Sequence, residues 1–258
     1  MHRLLTFAAS AVLGFAPVAF AADLPLKAPG GPVAAPYNWT GFYLGGNAGY
    51  GWGGSTGNTI VVLSDPTGLF TGYTGFRYPN LSPNGAIGGG QIGYNYQTGN
   101  WVLGAVADFQ FANLRDSGQA DVPAFAAFLE TVQAHSANID WFGTVRGRIG
   151  WAFDKFLPYI SGGLAYGKVS STMTLTAPAT GFLLTGETDT VKAGWTVGGG
   201  FEYAWDTKLS FGVDYIYMDL GHQTVLATNQ NFFAFPAVLA MDHHFTANVV
   251  RGTMNFRF

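Results

Sequence analysis

The chain has 258 residues and a formal net charge of −3, and only 10% of its residues are charged, against roughly 25% in an ordinary soluble domain. It contains no cysteine, which excludes disulfide scaffolds, thiolate metal sites and cysteine nucleophiles. The slightly acidic balance argues against a nucleic-acid partner, and the 48% of hydrophobic residues argues against intrinsic disorder. Abundant glycine (37 residues) and aromatic side chains (16%) indicate strands whose outer faces meet something other than water.

The first 21 residues are a predicted secretory signal peptide. Arg3 gives a basic start, an uncharged and mostly apolar run follows, and Ala19 and Ala21 occupy the positions that a signal peptidase reads. An acidic residue and a proline come next, unlike the basic flank expected after a membrane-spanning helix. Residues 22–38 then contain four prolines, which predicts an extended periplasmic linker because proline disfavours regular helix and central strand.

From residue 39 to residue 258 the dominant pattern is period-two alternation, which is typical of strands with two unlike faces. Eight segments show it, at 41–52, 86–97, 101–111, 139–153, 158–169, 191–205, 208–218 and 244–258. Each is close to or above the roughly 9–11 residues that a tilted strand needs to cross a bilayer. Short turns follow the second, fourth and sixth segments, whereas the other connections are long.

This rhythm predicts an all-β fold, namely an eight-stranded antiparallel up-and-down transmembrane β-barrel over residues 39–258 with long extracellular loops. In such barrels the short turns face the periplasm. Tryptophan and tyrosine near the ends of the predicted strands, for example Trp101, Trp141 and Trp151, fit the aromatic belts at the two membrane interfaces. The predicted location is the cell outer membrane, with outer-membrane lipid around the barrel.

One face of the predicted strands carries charged residues of both signs. They are Asp108, Asp140, Arg146, Arg148, Lys192, Glu202, Asp214, Arg251 and Arg257. The interior of an eight-stranded barrel is filled by side chains, and buried charges must pair, so we expect a network of ion pairs. Two interpretations stay open: a structural plug of salt bridges, and a narrow water-filled path for small solutes.

Four motifs resemble the small outer-membrane β-barrel proteins of Rhizobium-like bacteria. They are WTGFYLGG at 39–46, FGTVRGRIG at 142–150, YISGGLAYG at 159–167 and GWTVGGGFEY at 194–203. The resemblance implies an OmpA-like transmembrane barrel with a porin-like or structural role in the cell envelope. It carries over no catalytic residues, so we expect no enzymatic activity. Phe256 and Phe258 resemble the C-terminal signal that the barrel-assembly machinery reads, which makes that machinery an expected partner.

Four histidines lie in or beside the predicted loops. They are His135, His222, His243 and His244. Imidazole is a common ligand of metals and of haem, and some members of the resembled family are described as haem-binding surface proteins. The alternative function is therefore a surface receptor that binds haem or another partner molecule through its loops. The other interpretation is that these are ordinary exposed side chains, because adjacent residues of an extended segment point to opposite faces; no metal or cofactor is otherwise expected.

Two of the predicted loops contain unusually apolar segments. Residues 122–132 repeat apolar side chains at i, i+3, i+4 and i+7, which predicts a short amphipathic helix. Residues 232–239 include three phenylalanines. Apolar surface of this kind indicates contact with protein, lipid or a ligand, or else packing of the two loops on each other.

Overall fold

The computed structural model describes residues 37–64, 80–122, 130–229 and 238–258, with side chains for all of these except residues 55–64 and Val122. The predicted signal peptide lies outside the described residues, as does most of the predicted linker. The centre of the predicted helix at 122–132 and most of the apolar segment at 232–239 also lie outside them. No helix within the described part of the chain is long and apolar enough to cross a membrane.

Eight antiparallel strands form a closed barrel in which each strand pairs with its neighbours in sequence and the last pairs with the first. Their bounds are β1 Gly41–Ser64, β2 Asn84–Thr98, β3 Trp101–Val122, β4 Thr131–Trp151, β5 Phe156–Ala177, β6 Phe182–Ala204, β7 Leu209–Asn229 and β8 Val238–Arg257. This topology confirms the predicted eight-stranded up-and-down barrel. We call the end that carries the β2–β3, β4–β5 and β6–β7 connections the turn end, and the opposite end the loop end.

The strands continue well beyond the predicted bounds toward the loop end. β5 has 22 residues and β6 has 23, so that the long connection expected between them is a short turn at residues 178–181. Gly181 in this turn has φ of 70°, a conformation that glycine adopts without steric cost.

The two halves of the barrel have opposite side-chain chemistry. Near the turn end large apolar side chains point outward, and Leu164, for example, is 67% exposed. Toward the loop end the outward residues of β5 include Ser170 and Thr172, while Met173 and Leu175 point inward and are fully buried. The outer surface of the first half suits hydrocarbon, and that of the second half suits water.

Outward-facing tryptophans mark both limits of the apolar half. Trp141 and Trp151 delimit it on β4, while Trp195 and Trp205 delimit it on β6 and directly after it. Each interval matches the roughly 9–11 residues that cross a bilayer at a tilt, and aromatic girdles occupy such levels in outer-membrane barrels. We call the part of the barrel on the loop-end side of Trp141 and Trp195 the extension; it contains residues 112–122, 130–140, 167–194, 219–229 and 238–247.

Three apolar clusters fill the interior at successive levels. The turn-end cluster contains Trp39, Val102, Ala152, Leu157, Tyr159 and Ala204. The middle cluster includes Leu114, Ile139, Phe142, Ile216, Phe245 and Val249. The extension cluster contains Met173, Leu175, Leu184, Val225, Ala227, Leu239 and Met241.

The wall of the barrel is interrupted between β6 and β7 within the extension. Pairing stops after Thr185 and Thr228 and resumes only at Trp195 and Asp219, although β6 stays paired with β5 over the same residues. The β7–β8 register shifts at this level, and Gly221 there has φ of 74°, which favours glycine. We call this interval the β6–β7 gap.

Candidate functional site

Four charged residues from four strands form a closed set of ion pairs inside the barrel. Arg251 Nη2 lies 3.0 Å from both Asp108 Oδ2 and Asp214 Oδ2. Arg146 Nη2 lies 3.0 Å from Asp108 Oδ2 and 3.6 Å from Asp214 Oδ2. None of the four is more than 4% exposed. Each guanidinium therefore lies beside two carboxylates and each carboxylate beside two guanidiniums, which compensates the charges in an environment where water is excluded.

Neutral side chains complete the hydrogen bonding of this central network. The Thr144 hydroxyl donates to Asp108 over 2.8 Å, and Arg146 donates to Ser161 Oγ over 3.0 Å. The Tyr159 hydroxyl donates to Asp214. The charge pattern of the sequence does not indicate these neutral partners, although the period-two spacing that places Arg146 inward also places Thr144 inward.

A second buried ion pair lies nearer the turn end. Arg148 Nη1 is 2.5 Å from Glu202 Oε1, and Arg148 Nε donates to Asn95 Oδ1 over 2.9 Å. The guanidinium carbon lies 4.9 Å from the Tyr43 ring centroid and 5.0 Å from that of Tyr159, within the range of cation–π attraction. Arg148 is thus held by one carboxylate, one amide and two aromatic faces.

Arg257 helps the residues before β1 to close the turn end. Its guanidinium lies 5.0 Å from the Tyr37 ring centroid and 4.9 Å from that of Trp39, and it donates to the Asn38 carbonyl over 2.8 Å. The Trp39 side chain is fully buried, and its indole N–H donates to the Asp154 carbonyl over 2.9 Å. Tyr37 and Asn38, the last residues of the predicted linker, therefore contact the barrel itself.

Two of the predicted interior charges lie apart from the buried ion pairs. Asp140 is on the outer surface, 36% exposed, where its carboxylate lies 3.6 Å from Lys168 Nζ. The β4–β5 register shifts between Ile139 and Trp141, and this bulge moves Asp140 to the same outer face as Trp141. Lys192 keeps the inward register but is only half-buried, because it lies at the β6–β7 gap.

The four predicted loop histidines lie on strands of the extension and form two separate pairs. His135 and His243 point into the barrel, are 3% and 0% exposed, and have ring centroids 5.6 Å apart. His222 and His244 lie outside and stack, with centroids 4.5 Å apart and ring planes within 8° of parallel. Because His243 and His244 are neighbours in an extended strand, the wall itself separates the two pairs.

The environments of the two pairs differ in charge. Burial lowers the pKa of His135 to about 4, with a further lowering from the nearby His243, and burial also lowers the pKa of His243. The inner pair is therefore neutral at pH 7. In the outer pair, carboxylates lie beside both rings, at 2.6 Å from His222 Nδ1 and 3.0 Å from His244 Nε2. Among the described residues, no group of three or more His, Cys, Asp or Glu side chains is arranged to hold a metal ion.

Phe256 and Phe258 lie on the outer face of the barrel at the turn end. They are 45% and 78% exposed, and their rings meet edge to face with centroids 5.4 Å apart. Two exposed aromatic rings at this level are accessible to lipid or to another protein. Their role as an assembly signal stays a prediction.

The chain matches the outer membrane protein beta-barrel domain over residues 8–250. It is 34% identical over 255 residues to the 31 kDa outer-membrane immunogenic protein of Brucella melitensis, an alignment that covers 97% of this chain and 98% of the relative. It is 30% identical over 192 residues to the 22 kDa outer membrane protein of Rhizobium leguminosarum bv. viciae, covering 73% and 67%.

Similar solved structures include an outer membrane protein and a surface protein. OprG of Pseudomonas aeruginosa has a TM-score of 0.42 and 14% identity, covering 86% of this chain and 99% of that one. Neisserial surface protein A has a TM-score of 0.38 and 10% identity, covering 85% and 98%. The family match and the sequence relatives confirm the predicted family and the predicted outer-membrane location. The chain belongs to the outer membrane protein beta-barrel domain family.

Proposed function

We propose that this protein is a structural, non-enzymatic component of the outer membrane whose lumen passes small solutes slowly or not at all. The burial of the interior charges carries the proposal. Asp108 and Arg251, at the centre of the lumen, are 4% and 1% exposed. Side chains that line a water-filled channel are accessible to water, and open aqueous channels belong to barrels with more strands.

Apolar layers on both sides of the central network support the same function. Toward the turn end, Trp39 and Leu157 are fully buried; toward the loop end, Leu114 and Phe142 are at most 1% exposed. A hydrated ion would have to lose its water to cross either layer, and transfer of an unpaired charge into an apolar environment is very costly. The charges therefore serve to hold strands together rather than to conduct.

Single-channel conductance of the refolded protein in a planar bilayer tests this proposal. We expect a silent bilayer for the wild type and also for Arg146→Ala, because the apolar layers remain in the variant. Protease protection of the inserted protein shows that the barrel is present, and a larger porin in the same bilayer shows that conductance is detectable. Discrete steps whose size or ion selectivity changes in Arg146→Ala would instead establish a water path along the charges.

A second candidate function is that of a surface receptor, and the extension is the feature that favours it. Its polar outer face carries the stacked His222 and His244, of which His222 is 64% exposed. The Brucella melitensis relative is named an outer-membrane immunogenic protein, which supports exposure of such a protein at the cell surface. A change in the absorption spectrum of added haem that is lost in a His222→Gln/His244→Gln variant would favour the receptor; no change would remove haem as its ligand.

A further inference from the structure

A polar layer interrupts the apolar interior of the extension. Gln133, His135, Gln223 and His243 point inward and are at most 3% exposed. On β7 and β8, Gln223 and His243 separate residues of the middle cluster from residues of the extension cluster. On β4, Gln133 and His135 pair with Leu175 and Met173 of the extension cluster. The two imidazoles bring nitrogen donors into an interior that is otherwise filled mainly by the middle and extension clusters.

The two imidazoles of this layer are spaced as ligands of one metal ion are. Their centroids are 5.6 Å apart and their planes differ by 38°, so they do not stack. Two imidazoles that each bind one ion at about 2.0–2.1 Å leave ring centroids roughly 5–6 Å apart. His135 comes from β4 and His243 from β8, which places the candidate ion in the lumen, between opposite walls.

Two methionines adjoin the histidines on the same inner face. Met173 is the direct cross-strand partner of His135, and cross-strand pairs have Cβ atoms about 4.5–5.5 Å apart. Met241 lies two residues before His243 on β8, and both methionines are fully buried. The flexible thioether side chain of methionine adapts to irregular interior sites.

Two imidazoles and two thioethers form a soft set of donors. Hard cations prefer carboxylate, carbonyl and water oxygens, whereas thioethers select monovalent copper. We propose that this layer binds a single Cu(I) ion through His135 and His243, with the thioethers of Met173 and Met241 completing its coordination. This binding is separate from the structural role proposed above and does not depend on whether the lumen conducts.

The β6–β7 gap provides an entry path to this site. Two inward-facing positions of β6 at this gap are accessible to solvent: Thr190 is exposed and Lys192 is half-buried. Other inward-facing residues of the same strand, Leu184 and Thr196, are buried. Gln223, which is the cross-strand partner of His243, reaches across the gap and donates to Thr190 Oγ1 over 3.4 Å. An ion that passes this side-chain hydrogen bond arrives beside His243.

Anaerobic competition with the chromogenic Cu(I) chelator bicinchoninate tests the proposal on the refolded full chain in detergent. We expect the wild type to withdraw one equivalent of Cu(I) from the chelator, and X-ray absorption to show both nitrogen and sulfur neighbours. A His135→Leu/His243→Leu variant should lose this binding. The variant should still fold, because leucine is similar in size to histidine and is compatible with the neighbouring apolar clusters. Circular dichroism verifies that it folds.

Matched variants separate the site from other histidines and methionines. Met173→Leu/Met241→Leu conserves volume and should weaken Cu(I) retention, whereas His222→Gln/His244→Gln on the outer face and Met218→Leu in the middle cluster should leave it unchanged. The proposal is overturned if the wild type withdraws no Cu(I), or if the His135→Leu/His243→Leu variant retains it. Retention that is lost only in the outer-pair variant, or Zn(II) bound in preference to Cu(I), would also overturn it.

Discussion

Arg251 makes the closest contacts of the central network, because it lies 3.0 Å from both carboxylates, whereas Arg146 lies 3.6 Å from Asp214. Replacing it with methionine leaves Asp108 and Asp214 with one guanidinium, Arg146, between them. Removal of one partner of a buried ion pair destabilises by about 3–5 kcal/mol, so we expect Arg251→Met to lower the free energy of unfolding by that amount. Urea titration of the barrel refolded into lipid vesicles measures it.

Arg115→Met is the matched control for this prediction. Arg115 is 67% exposed and lies 4.0 Å from Asp140, and exposed ion pairs contribute only about 0–1 kcal/mol. The substitution is chemically the same in both variants, so any difference in unfolding free energy reports burial. Equal losses in the two variants would show that the central network is hydrated rather than dry.

The sequence predicts most of the charged residues of the interior, and the exceptions have local physical causes. Alternation places Asp108, Arg146 and Arg251 inward because a strand with regular pleat keeps its period. Asp140 departs because a bulge adds one residue to the strand and so changes which face that residue occupies. A bulge depends on how two strands pair, and the sequence of one strand does not show it.

At the scale of the strand, the reversal of faces predicts opposite responses to the same substitution. On β5, Leu164 faces outward in the apolar half and Thr172 faces outward in the extension. Arginine on the lipid face of a barrel destabilises by about 2–4 kcal/mol near the bilayer midplane and by about 0–1 kcal/mol near the interfaces. We expect Leu164→Arg to have the larger effect and Thr172→Arg almost none, measured by unfolding from vesicles. A large effect of Thr172→Arg would place the extension within the hydrocarbon.

The length of the strands is the main feature of the fold that differs from the expectation based on the sequence. In the extension, Val169, Ser171, Met173 and Leu175 alternate with hydroxyl-bearing residues from Ser170 onward, so period two continues there. The apolar residues Val169, Met173 and Leu175, however, lie on the inward face together with Ser171, and the outward face is polar. A search for lipid-facing strands ends where the outward residues become polar, although β-branched threonine itself favours strands.

The β6–β7 gap predicts unequal accessibility of two inward-facing positions on neighbouring strands. Thr190 on β6 is exposed, whereas Ser171 on β5 is 1% exposed. Because the chain has no cysteine, single substitutions can be labelled cleanly. We expect Thr190→Cys to react rapidly with a bulky maleimide in the folded barrel and Ser171→Cys to react slowly. Similar slow rates at both positions would mean that the wall is closed, and would remove the entry path proposed for copper.

At the scale of the whole molecule, the interior is a stack of layers that the sequence does not reveal. Asp108 and Arg251 are 143 residues apart in the chain, yet their side chains touch. The level at which each side chain lies depends on the stagger between neighbouring strands, which closure of the barrel fixes. Strand number and topology follow from local alternation and turn spacing, whereas the order of the layers follows from pairing registers.

The polar outer face of the extension also constrains how the protein reaches its final position. In outer-membrane barrels the long-loop end faces outside, so the extension has to traverse the bilayer from the periplasm. Ser170 and Thr172 would then meet hydrocarbon, where polar groups without partners are unfavourable. A finished barrel could not slide through without exposing them. The wall must therefore stay open or be sheltered by other protein while the extension passes through the membrane.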